Sequence, residues 1–264
     1  MVTMKQVGLN VAADPLMSLS YVGVKGGMVV VVADDPGPLS SQTEQDSRHY
    51  AIAAKLPMLE PADSAEALAF TRRAYEISEE FDTPVILKMC TRVAHSQSIV
   101  DTAERAEREM IPYENIAKYV MMPGNAKRRH PVVEDRMRRL AQYAETCDLN
   151  RVEMGDTKLG IITSSTSYQY VKEVFGEEAS VLKLGMVHPM PEGLIRDFAA
   201  KVDRLVVVEE LDPRGEVREE DKAFLADFYK YAFVGLVLDW IRTGMKGEPA
   251  ELARRVELVG SGSF

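Results

Sequence analysis

The chain alternates short runs of apolar residues with longer stretches in which apolar side chains recur at every third or fourth position. Residues 28–32 are apolar without interruption, which is typical of a parallel strand buried on both faces. Residues 64–80 carry apolar side chains at helical spacing, and the sequence DSAE at 63–66 predicts their N-cap. Because strands and helices alternate in this way, the sequence predicts an α/β fold.

The same reasoning assigns most of the chain. We predict strands at 29–33, 57–60, 84–91, 159–163, 181–184 and 205–209. We predict helices at 14–21, 63–80, 168–175 and 192–200, and a loop that leads into a helix over 42–54. In the first helix, Asp14 is the predicted N-cap and Pro15 the first helical residue. The βαβαβ order of the last three strands predicts a small doubly wound domain.

These elements divide into four segments. We predict an α/β domain over 1–95, a helical connector over 96–157, a second α/β domain over 158–212 and a helical tail over 213–264. The tail has apolar residues at helical spacing from 223 to 243. We expect this amphipathic helix to bury its apolar stripe against its own domain or in a homodimer.

A polar loop follows the predicted strand at 29–33. Asp34 and Asp35, with the sequence PGP at 36–38, end the strand, because proline cannot donate to a sheet and glycine permits a sharp turn. A polar loop at the carboxyl end of a parallel strand is where open α/β sheets bind ligands. The candidate cofactor-binding or substrate-adjacent residues are Ser40, Ser41, Gln42, Glu44, Gln45, Asp46 and Arg48.

Two interpretations of this loop stay open. The neutral side chains are suited to the edge of a substrate or cofactor, whereas Glu44, Asp46 and Arg48 are suited to a local set of ion pairs that fixes the loop. Asp34 and Asp35 likewise are suited either to holding a helix terminus or to binding a cation through oxygen, and the first is favoured.

Charge and composition disfavour several classes of protein. The formal net charge of −9 argues against a nucleic-acid-binding surface, which needs clustered basic residues. Cys90 and Cys147 are isolated, so a reducing, cytoplasmic environment is expected. The four histidines lack metal-ligand spacing, and no apolar run reaches the roughly 18 residues of a membrane span. The sequence therefore predicts no metal site, no nucleic-acid partner and no membrane association.

Ordered motifs spread over residues 1–212 carry a resemblance to a known family. They are VTMKQVGLNVAADP at 2–15, SSQTEQDSR at 40–48, FDTPVIL at 81–87, RVAHS at 92–96, YVMMPGNAKRRHP at 119–131, LGIITS at 159–164, LKLGM at 182–186 and VEELDP at 208–213. Together they resemble the large (alpha) subunit of indolepyruvate:ferredoxin oxidoreductase, a thiamine-diphosphate enzyme of the 2-oxoacid:ferredoxin oxidoreductase family. The resemblance implies a partial thiamine-pyrimidine-type domain followed by a transketolase-C-terminal-like domain.

The resemblance also implies a reaction and its cofactors. The parent activity is oxidative decarboxylation of an aryl 2-oxoacid with thiamine diphosphate and magnesium, and the implied partners are the remaining oxidoreductase domains or subunit. In the family, the catalytic glutamate precedes the segment that matches Met1, and a separate domain binds the diphosphate and its metal. We therefore expect an N-terminally truncated fragment that is inactive alone, binds the cofactor weakly or not at all, and carries no iron–sulfur cluster. No catalytic residue is assigned.

The end of the chain carries a second resemblance. Residues 224–256, with FYKYAFVGLVLDWIRTGMK at 228–246, are similar to the C-terminal helix of tetracycline-repressor-like regulators. A transcriptional regulator is nevertheless disfavoured by the negative charge and by the lack of a predicted helix-turn-helix. The alternative to an enzyme fragment is a non-catalytic scaffold or dimerisation module, and in either case a homo-oligomer is expected.

Overall fold

A computed structural model describes residues 1–37, 43–104 and 117–210. The chain forms two compact units. Unit 1 consists of Met1–Cys147 and Met186–Pro191, and unit 2 consists, among the described residues, of Asp148–Gly185 and residues 192–210. The predicted C-terminal helix lies outside the described residues.

The strands and helices follow one another in α/β order. The strands are β1 (Val2–Lys5), β2 (Val29–Ala33), β3 (Met58–Leu59), β4 (Val85–Met89), β5 (Arg151–Glu153), β6 (Gly160–Ser164), β7 (Ser180–Leu184), β8 (Met186–His188) and β9 (Leu205–Val208). The helices are α1 (Gln6–Val11), α2 (Ala13–Val22), α3 (Arg48–Ala54), α4 (Ser64–Phe81), α5 (Thr91–His95), α6 (Pro123–Thr146), α7 (Ser167–Phe175) and α8 (Glu192–Ala199), with a short 3-10 helix at Ala117–Tyr119. The predicted α/β fold class is confirmed.

Unit 1 is built on a sheet with the strand order β1-β2-β4-β3-β8 across the described residues. The first four strands are parallel, and β8 joins the outer side of β3 in the antiparallel direction. The registers pair Val32 with Lys88 and Leu59 with Leu87. The carboxyl ends of β2, β4 and β3 therefore lie side by side at one edge of the sheet.

The core of unit 1 explains why the apolar runs become central strands. Val85, Ile86 and Leu87 of β4 are almost fully inaccessible, as expected for a strand between two others and covered on both faces. Helix α4 begins as its sequence predicts, because the Asp63 side chain accepts a hydrogen bond from the Glu66 backbone N–H at 2.8 Å. The Glu66 side chain in turn accepts one from the backbone N–H of Ala62 at 2.8 Å.

Within unit 1, a buried arginine of helix α6 binds the backbone near the ends of two other helices. The Arg136 guanidinium donates to the carbonyl oxygens of Ser20 at 2.7 Å and Asp82 at 3.1 Å, close to the ends of α2 and α4.

Most of the predicted connector over 96–157 falls in unit 1, while residues 148–157 fall in unit 2. The four-part division drawn from the sequence stays a prediction.

Unit 2 has a smaller sheet with the order β5-β7-β6-β9 among the described strands. Strand β6 is parallel to β7 and to β9, and β5 is antiparallel to β7. Side chains of α7 pack with Ile161, Val181 and Val206 in the core of this unit. The predicted βαβαβ order is confirmed here.

The structure differs from the sequence prediction at several places. The predicted strand over 84–91 ends at Met89, and Thr91 is the first residue of α5, which was not predicted. Helix α2 begins at Ala13 with Ala12 as its N-cap, so the predicted cap at Asp14 is wrong: α1 leads straight into α2 and Asp14 lies in the first turn. The edge strand β1 and helix α1 were not predicted, because β1 is mostly exposed and lacks a buried apolar pattern. Strands β5 and β8, of three residues each, were also missed. No helix within the described ranges is long and apolar enough to cross a membrane.

Candidate functional site

Charged side chains converge at the carboxyl edge of the sheet in unit 1. Asp34 follows β2, Glu60 follows β3, and Lys88 is the fourth residue of β4. Asp46 and Arg48 come from the segment that leads into α3. We call these five residues the strand-end cluster, and it lies where open α/β sheets bind their ligands.

Asp34 joins the end of β2 to the start of α3. Its Oδ2 accepts a hydrogen bond from the backbone N–H of Ser47, the N-cap of α3, at 2.7 Å. Its Oδ1 is buried and has no hydrogen-bond partner among the described residues. Burial raises the pKa of this carboxyl above its usual range, although the Ser47 hydrogen bonds and the charge of Lys88 oppose the rise.

Asp35 holds the start of a second helix. Its two carboxylate oxygens accept from the backbone N–H and the hydroxyl of Thr91, the first residue of α5, each at 2.6 Å. For both aspartates the predicted role of holding a helix terminus is confirmed. Across the described ranges, no group of three or more His, Cys, Asp or Glu side chains is arranged to hold a metal ion.

Asp46 and Arg48 form a local ion pair. The Arg48 Nε donates to Asp46 Oδ1 at 2.9 Å and a terminal nitrogen donates to Oδ2 at 2.8 Å, while the Arg48 backbone N–H also donates to Oδ1 at 3.0 Å. Burial opposes ionisation of Asp46, but the hydrogen bonds and charge of Arg48 outweigh it and lower the pKa of Asp46. This geometry supports the ion-pair interpretation for these two residues; Glu44 is exposed.

A row of side-chain hydrogen bonds fastens the same segment to α1. The Tyr50 hydroxyl donates to Asn10 Oδ1 at 2.6 Å, and Asn10 Nδ2 donates to Gln45 Oε1 at 2.8 Å. Gln45 Nε2 then donates to Thr43 Oγ1 at 3.1 Å. Gln45 therefore connects α1 to this segment, while its binding role stays a prediction.

Lys88 and Glu60 form a buried ion pair inside the cluster. The Lys88 Nζ lies 3.5 Å from Glu60 Oε1, and the two side chains are 4% and 2% exposed. The charge of Lys88 also favours the ionised forms of Asp34 and Asp46, so three carboxylates lie within its influence. Sequence reasoning missed Lys88; its signal is a single charge inside the otherwise apolar strand VILKM.

The structure brings together Gln45, Asp46 and Arg48 from the predicted site. Ser40, Ser41 and Gln42 lie outside the described residues, so their role in binding stays a prediction. The residues that sequence reasoning missed are Asn10, Tyr50, Glu60 and Lys88.

Comparisons with known proteins relate the chain to one enzyme subunit. It is 43% identical over 217 residues to the indolepyruvate oxidoreductase subunit IorA of Methanothermobacter thermautotrophicus, a match covering 80% of this chain and 35% of that protein. It is 41% identical over 219 residues to IorA of Archaeoglobus fulgidus, covering 81% and 35%. The chain thus spans about a third of the length of the curated relatives it matches.

A solved structure shares the fold. The 2-oxoglutarate:ferredoxin oxidoreductase of Magnetococcus marinus superposes with a TM-score of 0.62 at 16% identity, covering 98% of this chain and 52% of that one. At this identity the likeness concerns the fold alone, and it agrees with the α/β fold that the sequence predicts.

The C-terminal part matches a different family model. Residues 199–260 match the family described as "Transcriptional regulator C-terminal region", in agreement with the second resemblance. Of that match, the structure describes only 199–210, which contain β9, a strand of the sheet in unit 2. Over about four fifths of its length, however, the chain is similar in sequence to the indolepyruvate oxidoreductase subunit IorA, and the resemblance predicted from its sequence is confirmed.

Proposed function

We propose that this chain supplies one wall of the active site of a 2-oxoacid:ferredoxin oxidoreductase that acts on an aryl 2-oxoacid such as indolepyruvate. The observation that carries the proposal is the 43% identity to IorA over 80% of the chain. The strand-end cluster supports it, because it combines polar side chains, burial and the carboxyl edge of a parallel sheet.

The described residues do not include a set of side chains that fits the metal of the cofactor. Thiamine diphosphate needs a carboxylic acid at its aminopyrimidine and a metal at its diphosphate, and it supplies the carbanion chemistry of decarboxylation. Among the described residues, no three His, Cys, Asp or Glu side chains are arranged to hold a metal ion, and both carboxylate oxygens of Asp35 accept hydrogen bonds from Thr91. We therefore assign no step of the reaction to the cofactor on this chain.

The role we propose for the chain is to position a binding loop. Asp34 and the Asp46–Arg48 pair fix the segment that leads into α3, and Asn10 fixes Gln45. The neutral side chains predicted for binding, Ser40, Ser41 and Gln42, immediately precede this segment. The proposed partners are polypeptides that carry the remaining enzyme domains, and a second copy of this chain.

A chimeric subunit tests the proposal. In the IorA subunit of M. thermautotrophicus, the segment that matches this chain is replaced by the chain's own residues, and the chimera is produced with its partner subunit. We expect indolepyruvate-dependent reduction of a viologen dye in the presence of coenzyme A, thiamine diphosphate and magnesium. The chain by itself, assayed under the same conditions, is expected to show no turnover above a heat-treated control.

Two results contradict the proposal. Turnover by the chain alone shows that it carries the complete catalytic machinery. A chimera that folds and assembles but does not oxidise indolepyruvate supports the alternative, a non-catalytic scaffold or dimerisation module.

A further inference from the structure

Lys88 occupies the centre of the strand-end cluster. Strand β4 lies between β2 and β3 in the sheet, so a residue near its carboxyl end has the ends of both neighbours beside it. The register pairs Lys88 with Val32, and Asp34 lies two residues after Val32. On the other side, Leu87 pairs with Leu59, so the next residues along the two strands, Lys88 and Glu60, lie level with each other. No other position in the described part of β4 carries a charge.

A buried lysine at such a position is unfavourable as a packing residue. Taking an ammonium group out of water costs several kcal/mol, and a single ion pair often fails to recover that cost. An apolar residue, as at the other positions of β4, packs in a central strand without that penalty. The charge of Lys88 is therefore explained better by its effect on neighbouring groups than by packing.

Two carboxylates near Lys88, those of Asp34 and Asp46, accept hydrogen bonds from residues 47–48. Asp34 binds the backbone N–H of Ser47, and Asp46 binds both the backbone N–H and the side chain of Arg48. An ionised carboxylate accepts these hydrogen bonds more strongly than a protonated one. The register places Lys88 beside the end of β2, and its charge there favours the ionised state of both aspartates, while Glu60 Oε1 lies 3.5 Å from its Nζ.

We propose that Lys88 is a positioning residue: through Asp34 and Asp46 it holds residues 46–48 in place, a segment that contains the candidate binding residues Asp46 and Arg48. Its effect on substrate binding rests on the function proposed above. Its effect on the segment does not, because it follows from the contacts within unit 1 alone.

Hydrogen exchange tests the proposal without any enzymatic assay. Four of the described backbone N–H groups in unit 1 that donate to aspartate carboxylates are suited to this test: Ser47 and Arg48 within the cluster, and Thr91 and Glu66 outside it. In Lys88→Met, we expect exchange at Ser47 and Arg48 to accelerate by about tenfold or more, since their acceptors weaken. Thr91 and Glu66 serve as internal references and are expected to change by less than about twofold. Lys88→Arg is expected to restore the original rates.

A second variant keeps the test valid if the single substitution unfolds the protein. The double variant Lys88→Met/Glu60→Met removes both buried charges together, an exchange that proteins often tolerate. It is expected to fold and to show the same selective acceleration at Ser47 and Arg48. Equal acceleration at all four N–H groups indicates general loosening, and unchanged rates indicate no influence; either result overturns the proposal.

Kinetics of the chimeric subunit separate this inference from the proposed function. Lys88→Met in the chimera is expected to raise KM for indolepyruvate about tenfold with a smaller change in kcat, since residues 46–48 are displaced but still present. A kcat loss without a KM change contradicts the positioning role. If the unmodified chimera is inactive, the proposed function fails, while the exchange experiment still decides the role of Lys88.

Discussion

Both carboxylate oxygens of Asp35 accept hydrogen bonds from Thr91, one from its backbone N–H and one from its hydroxyl, each at 2.6 Å. The two residues are 56 positions apart in the chain but follow the neighbouring strands β2 and β4. The pair therefore connects the two central strand ends of unit 1 and fixes where α5 begins.

Removing this carboxylate is expected to destabilise unit 1. Hydrogen bonds to a charged group contribute roughly 1.5–3 kcal/mol, so Asp35→Ala should lower the free energy of unfolding by about that amount. Urea denaturation followed by circular dichroism measures it. The exposed Asp101, replaced with alanine, serves as the control and should change stability by less than about 0.5 kcal/mol. Equal stability of the two variants contradicts the structural role of Asp35.

Arg136 is expected to be the most sensitive position of α6. Its burial lowers the pKa of its guanidinium to about 10, which still leaves the group charged at neutral pH. Arg136→Met leaves the carbonyl oxygens of Ser20 and Asp82 without their hydrogen-bond donor. Each unpaired carbonyl is expected to lower the free energy of unfolding by roughly 1–3 kcal/mol. Arg138 lies two residues away with its side chain 72% exposed, so Arg138→Met is the matched control. Similar unfolding midpoints for both variants would show that α6 is held by its apolar contacts alone.

Sequence patterns that are contiguous in the chain predicted the most deeply buried strands and helix α4. The apolar runs of β2 and β4 and the capping sequence before α4 are readable because each is contiguous in the chain. Strand β5 was missed because it contains one apolar residue, Val152, between two charged ones. Strand β8 was missed because its partner β3 lies 127 positions away, from Leu59 to Met186, and only the folded chain brings them together.

The candidate site likewise combines contacts that the sequence predicts with contacts that it does not predict. The loop and its Asp46–Arg48 pair, two residues apart, were predictable from composition and position. The pairing of Lys88 with Glu60 depends on strand order and register, and the bond between Asn10 and Gln45 joins residues 35 positions apart. Neither follows from the spacing of residues in the sequence.

His188 is expected to make unit 1 sensitive to acid. Burial lowers the pKa of His188 to about 4, below the usual value of about 6.5. The unfolded state then binds a proton at a higher pH than the folded state does. The stability it contributes is complete above pH about 6.5 and is lost as the pH falls towards about 4. His188→Gln should flatten the loss of thermal stability across that window, and an unchanged pH profile contradicts this assignment.

The stabilising effect of the Asp46–Arg48 pair is also expected to be lost as the pH falls, but at a lower pH than that of His188. The folded-state pKa of Asp46 lies below its unfolded value of about 3.9, so its stabilising effect is present above that pH and is lost as the pH falls through the folded-state pKa. Arg48→Ala should lower the free energy of unfolding at pH 7 by roughly 1–3 kcal/mol and reduce its loss on acidification. A double-mutant cycle with Asp46→Ala isolates the pair, and a coupling energy near zero contradicts its importance.

The most direct test of a binding wall on this chain is the specificity constant of the chimeric IorA subunit for indolepyruvate. Arg48→Ala in the chimera removes the ion pair with Asp46 at the start of α3, whereas Lys158→Ala changes a side chain that is 83% exposed in unit 2. We predict that Arg48→Ala lowers kcat/KM by about tenfold or more while Lys158→Ala leaves it within about twofold. An Arg48→Ala chimera as active as the unmodified one would contradict the central claim that this edge of unit 1 shapes the active site.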